Sequence, residues 1–153
     1  MLKSVLFKCF VILFASSTLL GCDPNDVFKT QALRFRQAIV HQDVQAFADL
    51  MYSSDVIFKY PTAESLRPVK LQYLKIEAQE QTTSEYDRFP FKMVVKQMDA
   101  GGYSNPFYYV NLIGKKSGQV RIGLTMSVHE GAGTLPTRIG QLRMDQSVIV
   151  SMD

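Results

Sequence analysis

Cysteine is almost missing from this chain of 153 residues, which carries only Cys9 and Cys22, both near its start. Everything after residue 22 therefore lacks a thiol, either for an internal disulfide or for nucleophilic catalysis. Histidine is nearly as scarce. His41 and His129 stand alone, and the HExxH pattern of a zinc hydrolase does not occur. Two histidines so placed, one of them beside Glu130, match no zinc-site spacing, so neither a metal nor another cofactor is expected. Long apolar runs are absent as well: Cys9 to Leu20 covers about twelve residues, against the ~20 that a membrane-crossing helix needs. Glycine falls into no catalytic pattern. "GKKSG", Gly114 to Gly118, lacks the spacing of a phosphate loop and reads as a hairpin turn. "GYSNP", Gly102 to Pro106, lacks the last glycine of a nucleophile elbow, and "GAGT", Gly131 to Thr134, is no dinucleotide fingerprint. Repeats, low-complexity tracts and long charge runs are missing, which leaves a single folding unit.

What is present begins with Lys3 and Lys8, without an acid, ahead of the short apolar core; together they make an export signal. That core ends in Leu19-Leu20-Gly21-Cys22, which resembles the bacterial lipobox, although Leu20 stands where a small residue is more usual. The resemblance implies cleavage between Gly21 and Cys22, diacylglycerol on the Cys22 sulfur, and a fatty acyl chain such as palmitate on the new amino terminus. The plain alternative is an ordinary signal peptide in which Cys22 is incidental. One acyl chain binds a membrane only reversibly, whereas two or three make detachment negligible. Asp23 resembles the retention signal of inner-membrane lipoproteins, which implies the periplasmic face of that membrane. Pro24 is not among the strongest companions of such a signal, and the outer membrane is the alternative.

Loss of residues 1–21 removes two lysines and no acid, leaving 15 basic against 14 acidic side chains. The formal charge of +3 for the full chain thus belongs largely to the discarded segment, and no nucleic-acid partner is implied. Residues 22–26 form a tether that reaches ~17 Å at most. Residues 27–153 are enough for one domain with a hydrophobic core and too few for two.

Helical signals come first in that domain. Asn25 or Asp26 can cap a helix starting near Val27, with Phe28, Ala32, Phe35 and Ile39 on one face. Asp43 caps a second, in which Val44, Phe47, Ala48 and Met51 recur at helical spacing, and Ser53-Ser54-Asp55 ends it. "VIFKY", Val56 to Tyr60, reads as a short strand stopped by Pro61. A third helix is expected over Leu66 to Glu80, with Val69, Tyr73 and Ile76 inward and Pro68 confined to its first turn. After Gln81 the period changes to two. Phe91, Met93 and Val95 alternate with Lys92, Val94 and Lys96. "FYYVNLIG", Phe107 to Gly114, is apolar on both faces, as in a central strand. Val120, Ile122, Leu124, Met126 and Val128 face one way and Arg121, Gly123, Thr125, Ser127 and His129 the other. Glu130 to Thr137 form a loop, and Ile139 to Val150 a last long strand, bulged near Asp145.

The stretch "FRQAIVHQDVQAFADLMYSSDVIFKYPT", Phe35 to Thr62, resembles the opening of the NTF2-like (SnoaL-like) superfamily, with Asp43 and the Asp55-Val56 pair as its telling residues. The resemblance implies an α+β fold in the order α-α-β-α-β-β-β-β: N-terminal helices packed on a curved antiparallel sheet that forms a cone with an apolar cavity. A cystatin-like α+β sandwich is the alternative. In isomerase-type members a carboxylate base follows the first strand; here Tyr60-Pro61-Thr62 stand there and the nearest acid is Glu64, which counts against that chemistry.

Three functions follow. One is a membrane-anchored, non-enzymatic binding module, an accessory or immunity-type factor in an envelope complex, whose partner is an envelope protein or a small apolar ligand. Tyr103, Tyr108, Tyr109 and His129 are its candidate pocket or interaction residues, with Phe107 beside them. The second is a small isomerase, dehydratase or hydrolase acting on an apolar metabolite, which would need a buried acid or histidine opening on the cavity, with Glu64, His129 and Tyr109 as the candidates. The third is a structural lipoprotein without a specific pocket.

Overall fold

A computed structural model describes residues 24–52, 55–83, 89–98, 107–128, 137–145 and 147–150. Its first helix, α1 (Pro24–His41), begins three residues before the expected Val27, with proline at its first position, where no N–H is needed. Phe28, Ala32, Phe35, Ala38 and Ile39 are buried along one face, as the spacing predicts. The helix ends in a left-handed residue, Gln42 (φ 52°), whose N–H donates to the Ile39 carbonyl at 3.2 Å. The Asp43 N–H reaches the Ala38 carbonyl at 2.9 Å, which completes a Schellman closure without glycine. Asp43 then starts α2 (Val44–Leu50), its carboxylate accepting from the Ala46 N–H at 3.0 Å.

"VIFKY" is not a strand. Val56–Lys59 form a single helical turn, α3, which Asp55 caps by accepting from the Ile57 N–H at 2.9 Å. Phe58 alone is buried, its ring 5.8 Å from that of Phe47, while Val56, Ile57 and Tyr60 remain exposed. A strand would have buried alternate residues; one inward side chain per turn needs only a helix. Strand-like pairing occurs earlier instead, where Met51 forms an isolated parallel bridge with Ile139. Asp55 accordingly opens α3 and does not terminate α2.

The next helix, α4 (Ala63–Glu80), is as long as α1 and starts a turn before the expected Leu66. Thr62 and Ser65 close a reciprocal capping box, the Ser65 N–H donating to Thr62 Oγ1 at 3.1 Å and the Thr62 N–H to Ser65 Oγ at 2.9 Å. Pro68 consequently lies inside the helix, beyond its first turn, at an exposed position where the freed carbonyl of exposed Glu64 can meet water. Leu66, Val69, Tyr73 and Ile76 are buried as a stripe.

Five antiparallel strands follow: β1 (Phe91–Gln97), β2 (Phe107–Gly114), β3 (Val120–Val128), β4 (Thr137–Met144) and β5 (Ser147–Val150). They lie in sequence order, a simple meander. The expected last strand is thus two, folded back at Asp145, which takes φ 46°, a conformation that aspartate tolerates. Helices and sheet bury Phe91, Val110, Leu112, Ile122, Leu124, Met126, Ile139, Leu142 and Met144 between them, together with the α1, α2 and α4 stripes. Val120 escapes its expected inward position. A bulge between Leu112 and Ile113 places it opposite Ile113, where it is exposed. The fold is α+β, helices first and sheet second.

Candidate functional site

Gly21, Cys22, Asp23, Tyr103 and His129 lie outside the described residues. Tyr108 and Tyr109, adjacent on β2, point to opposite sides of the sheet. Tyr108 packs on the inner side, its ring 4.8 Å from that of Phe28, and Tyr109 is 41 % exposed on the outer side. Phe107 is half-buried. These aromatics therefore share no one pocket. Glu64 is exposed in the first turn of α4, on the helical side of the sheet, so it does not meet Tyr109 either. No group of three histidine, cysteine or acidic side chains able to hold a metal ion occurs among the described residues.

The strongest electrostatic cluster is one that sequence reasoning missed. Glu80, at the end of α4, is 1 % exposed, and its Oε2 accepts from the Lys116 and Ser117 N–H groups at 3.1 and 2.9 Å. Oε1 accepts from Arg121 Nη1. The same guanidinium donates to Asp145 at 2.8 Å and to the Gln79 side chain at 2.6 Å. Burial opposes ionisation of Glu80, yet Ser117, through its hydroxyl and N–H, and then Arg121 and the Lys116 N–H outweigh it and bring the pKa down to about 2. Hydrogen bonding to Asp145, and then to Glu80, raises the Arg121 pKa against the cost of its burial. A Cβ at Gly114 would overlap the Glu80 carboxylate, so the absent side chain is what admits the acid. Every charge in this cluster is answered by another, and it clasps α4 to the β2–β3 and β4–β5 turns. Its members are 24 and 41 residues apart in sequence, which no local pattern connects.

A second cluster ties α1 to α4. Arg36 donates to Glu77 Oε1 from Nη2 at 2.6 Å and from Nε at 3.1 Å. Burial, and then the charge of Glu77, pushes the neighbouring Tyr73 hydroxyl well above the usual phenol range. That hydroxyl and Glu77 Oε2 are buried without a hydrogen-bond partner among the described residues. Between α1 and α2 runs a half-open groove of about 570 Å³, lined by Arg34, Gln37 and His41 on one wall and Asp49 and Leu50 on the other. Asp49 already accepts from Gln45 at 2.9 Å.

The outer face of the sheet differs from all of these. Strand register places Val94, Asn111, Gly123, Arg143 and Val148 in one row across all five strands, and Lys96, Tyr109, Thr125 and Gln141 in the next. Lys92 flanks the first row on β1, and Arg138 stands opposite Ser127 on β4. The five strands carry five basic side chains and no acidic one. Arg121 is consumed by Glu80 and Asp145, whereas Lys92, Lys96, Arg138 and Arg143 are exposed and form no ion pair among the described residues. Val94, between the two lysines on β1, and Val148, beyond the arginines on β5, are 37 % and 51 % exposed. A recess of about 370 Å³ lies by Gly123, bounded by Gln119, Val120, Arg121 and Arg143. The lysines had been legible as the polar half of an alternating strand; their juxtaposition with the β4 arginines needed the register. Comparison of the chain with protein-family models, with curated proteins and with solved structures gives no match.

Proposed function

We propose that the protein is a lipid-anchored interaction module of the bacterial envelope, without catalytic activity of its own, which presents the outer face of its sheet to a partner. The observation that carries this reading is that face, where cations unpaired among the described residues coincide with exposed apolar side chains. The two buried charges, Glu77 and Glu80, are answered internally, while the exposed cations of this face are left to be answered from outside. The anchor is supported by the Leu19–Cys22 lipobox. The start of α1 at Pro24 leaves ~7 Å of chain between Cys22 and the first helical residue, so the domain would sit against the headgroups. Asp23 favours the periplasmic face of the inner membrane. The order of helices before an antiparallel meander supports an NTF2-like cone, with α3 in place of that family's first strand.

In-cell photocrosslinking tests the reading. A photoreactive phenylalanine analogue at Tyr109 or Val94 should give a discrete adduct that the same group at Leu71, exposed on α4, does not. If the sheet positions give none, the module has no partner there and the proposal fails. For the anchor, the mass of the mature product should exceed that of residues 22–153 by a diacylglyceryl group and an acyl chain, and Cys22→Ser should abolish the excess.

A further inference from the structure

Taking the sheet face as the contact surface, we infer that its partner is an acidic protein, held by Lys92 and Lys96 on one side and by Arg138 and Arg143 on the other. The inference rests on the interaction reading above and deepens it. Charge complementarity is its first ground. Four cations without an ionic partner among the described residues, and with no carboxylate in the strands, make a field of one sign, which selects an oppositely charged partner and repels a second copy of the same face. A homodimer through this surface would bring lysines and arginines together.

Shape decides between an acidic protein and an anionic bilayer. The two pairs of cations sit on β1 and β4, three strand spacings or ~14 Å apart. Successive strands in a sheet rotate by ~20–25°, so β1 and β4 differ in direction by ~60–75°. A flat lipid surface can touch one pair closely and not both, whereas a folded partner can follow the twist. Placement agrees. Phe28, in the second turn of α1, packs on the inner side of β2, so the chain leaves the domain toward Cys22 from the helical layer, with the sheet between that layer and the cationic face. The composition of the face is that of a protein contact: Tyr109 between the two pairs, Val94 among the lysines and Val148 at the β5 edge supply apolar area, and Asn111 and Gly123 leave room beside Arg143 for a carboxylate to approach.

The test uses the mature protein from residue 22, carrying Cys22→Ser, and two charge reversals. One is Lys96→Glu with Arg143→Glu on the sheet; the other is Arg67→Glu with Lys75→Glu on the exposed side of α4. Circular dichroism and urea midpoints first establish that both fold as the parent does. Binding to poly-L-glutamate at low salt should weaken at least tenfold with the sheet pair and less than threefold with the helix pair, and should be lost by 0.5 M salt. In cells, the sheet reversal should abolish the Tyr109 adduct. Equal weakening by both pairs would make the attraction one of net charge and overturn the inference. Binding to phosphatidylglycerol vesicles in place of poly-L-glutamate would overturn it in favour of the bilayer. An adduct at Tyr109 that survives the sheet reversal would leave the interaction module standing and remove its acidic partner. No adduct even from the parent would remove both.

Discussion

Gly114→Ala probes the clasp between α4 and the sheet with a single carbon atom. Gly114 is the last residue of β2, and its backbone does not need a left-handed conformation; only space is at issue. The new Cβ would occupy the position of the Glu80 carboxylate. Since the methyl group cannot move without the strand, the acid must leave. Its departure strands the Lys116 and Ser117 N–H groups and takes one partner from Arg121, which retains Asp145 at 2.8 Å. Each stranded buried donor costs about 1–3 kcal/mol, and losing one side of a buried ion pair costs about 3–5 kcal/mol in full burial. Here only a thin layer covers the carboxylate and the turn amides can rehydrate, so we expect a loss of about 3 kcal/mol. For a domain of this size that shifts a urea midpoint by ~1–2 M. The decisive measurement is a double-mutant cycle with Glu80→Ala, followed by circular dichroism of the Cys22→Ser protein. With the carboxylate gone, the added methyl group meets nothing, and Gly114→Ala should cost less than about 1 kcal/mol. If it costs as much in the Glu80→Ala background as in the parent, the steric account is wrong and the glycine serves something else.

The other predictions concern single groups. Glu80 has a pKa of about 2 in the folded chain against an ordinary 4.5, so its contribution is complete above pH ~4.5 and is lost as pH falls toward 2. The shift alone corresponds to ~3 kcal/mol, reduced to ~1–2 kcal/mol by solvent screening at the molecular rim, and Glu80→Gln should flatten the acid limb of stability against pH by that amount. Tyr73→Phe removes a buried hydroxyl that has no hydrogen-bond partner among the described residues and should leave stability unchanged or raise it by up to ~1 kcal/mol; a loss larger than that in urea unfolding would mean that the hydroxyl is hydrogen-bonded. Asp43→Ala deletes the α2 cap and should cost ~1 kcal/mol, whereas Asp43→Asn should cost little. Phe47→Ala opens the core where the Phe35, Phe47 and Phe58 rings meet and should cost ~3–5 kcal/mol by thermal or urea unfolding.

Much of the fold was legible because its signals are local. The α1 and α4 stripes, the Asp43 cap and the alternation of β1 and β3 each rest on residues within one or two turns of one another. "VIFKY" misled for the same reason. Its β-branched and aromatic residues favour a strand by composition, but Asp55 caps the Ile57 N–H and so starts a helical turn, and Phe58 finds its place against Phe47 by that single turn. The β4–β5 hairpin was hidden because apolar residues continue on both sides of Asp145 and no glycine or proline marks the reversal; the aspartate itself adopts the left-handed turn. The candidate surface was less legible still. Lys96 and Arg143 are far apart in sequence, and only the pairing of β1 with β2, β2 with β3 and β3 with β4 puts them on one face. The buried partnership of Glu80, Arg121 and Asp145 depends on tertiary closure in the same way.

The meander has a consequence for how the molecule is made. Each strand bonds to its neighbour in the chain, so the sheet can grow by successive hairpins, and no strand must be slipped between two that have already joined. What has to wait is the joining of layers, where Met51 meets Ile139 across most of the domain's length. The apolar stripes of α1, α2 and α4 are covered only once that long-range joining is made, so a change that weakens it bares the whole inner face at once.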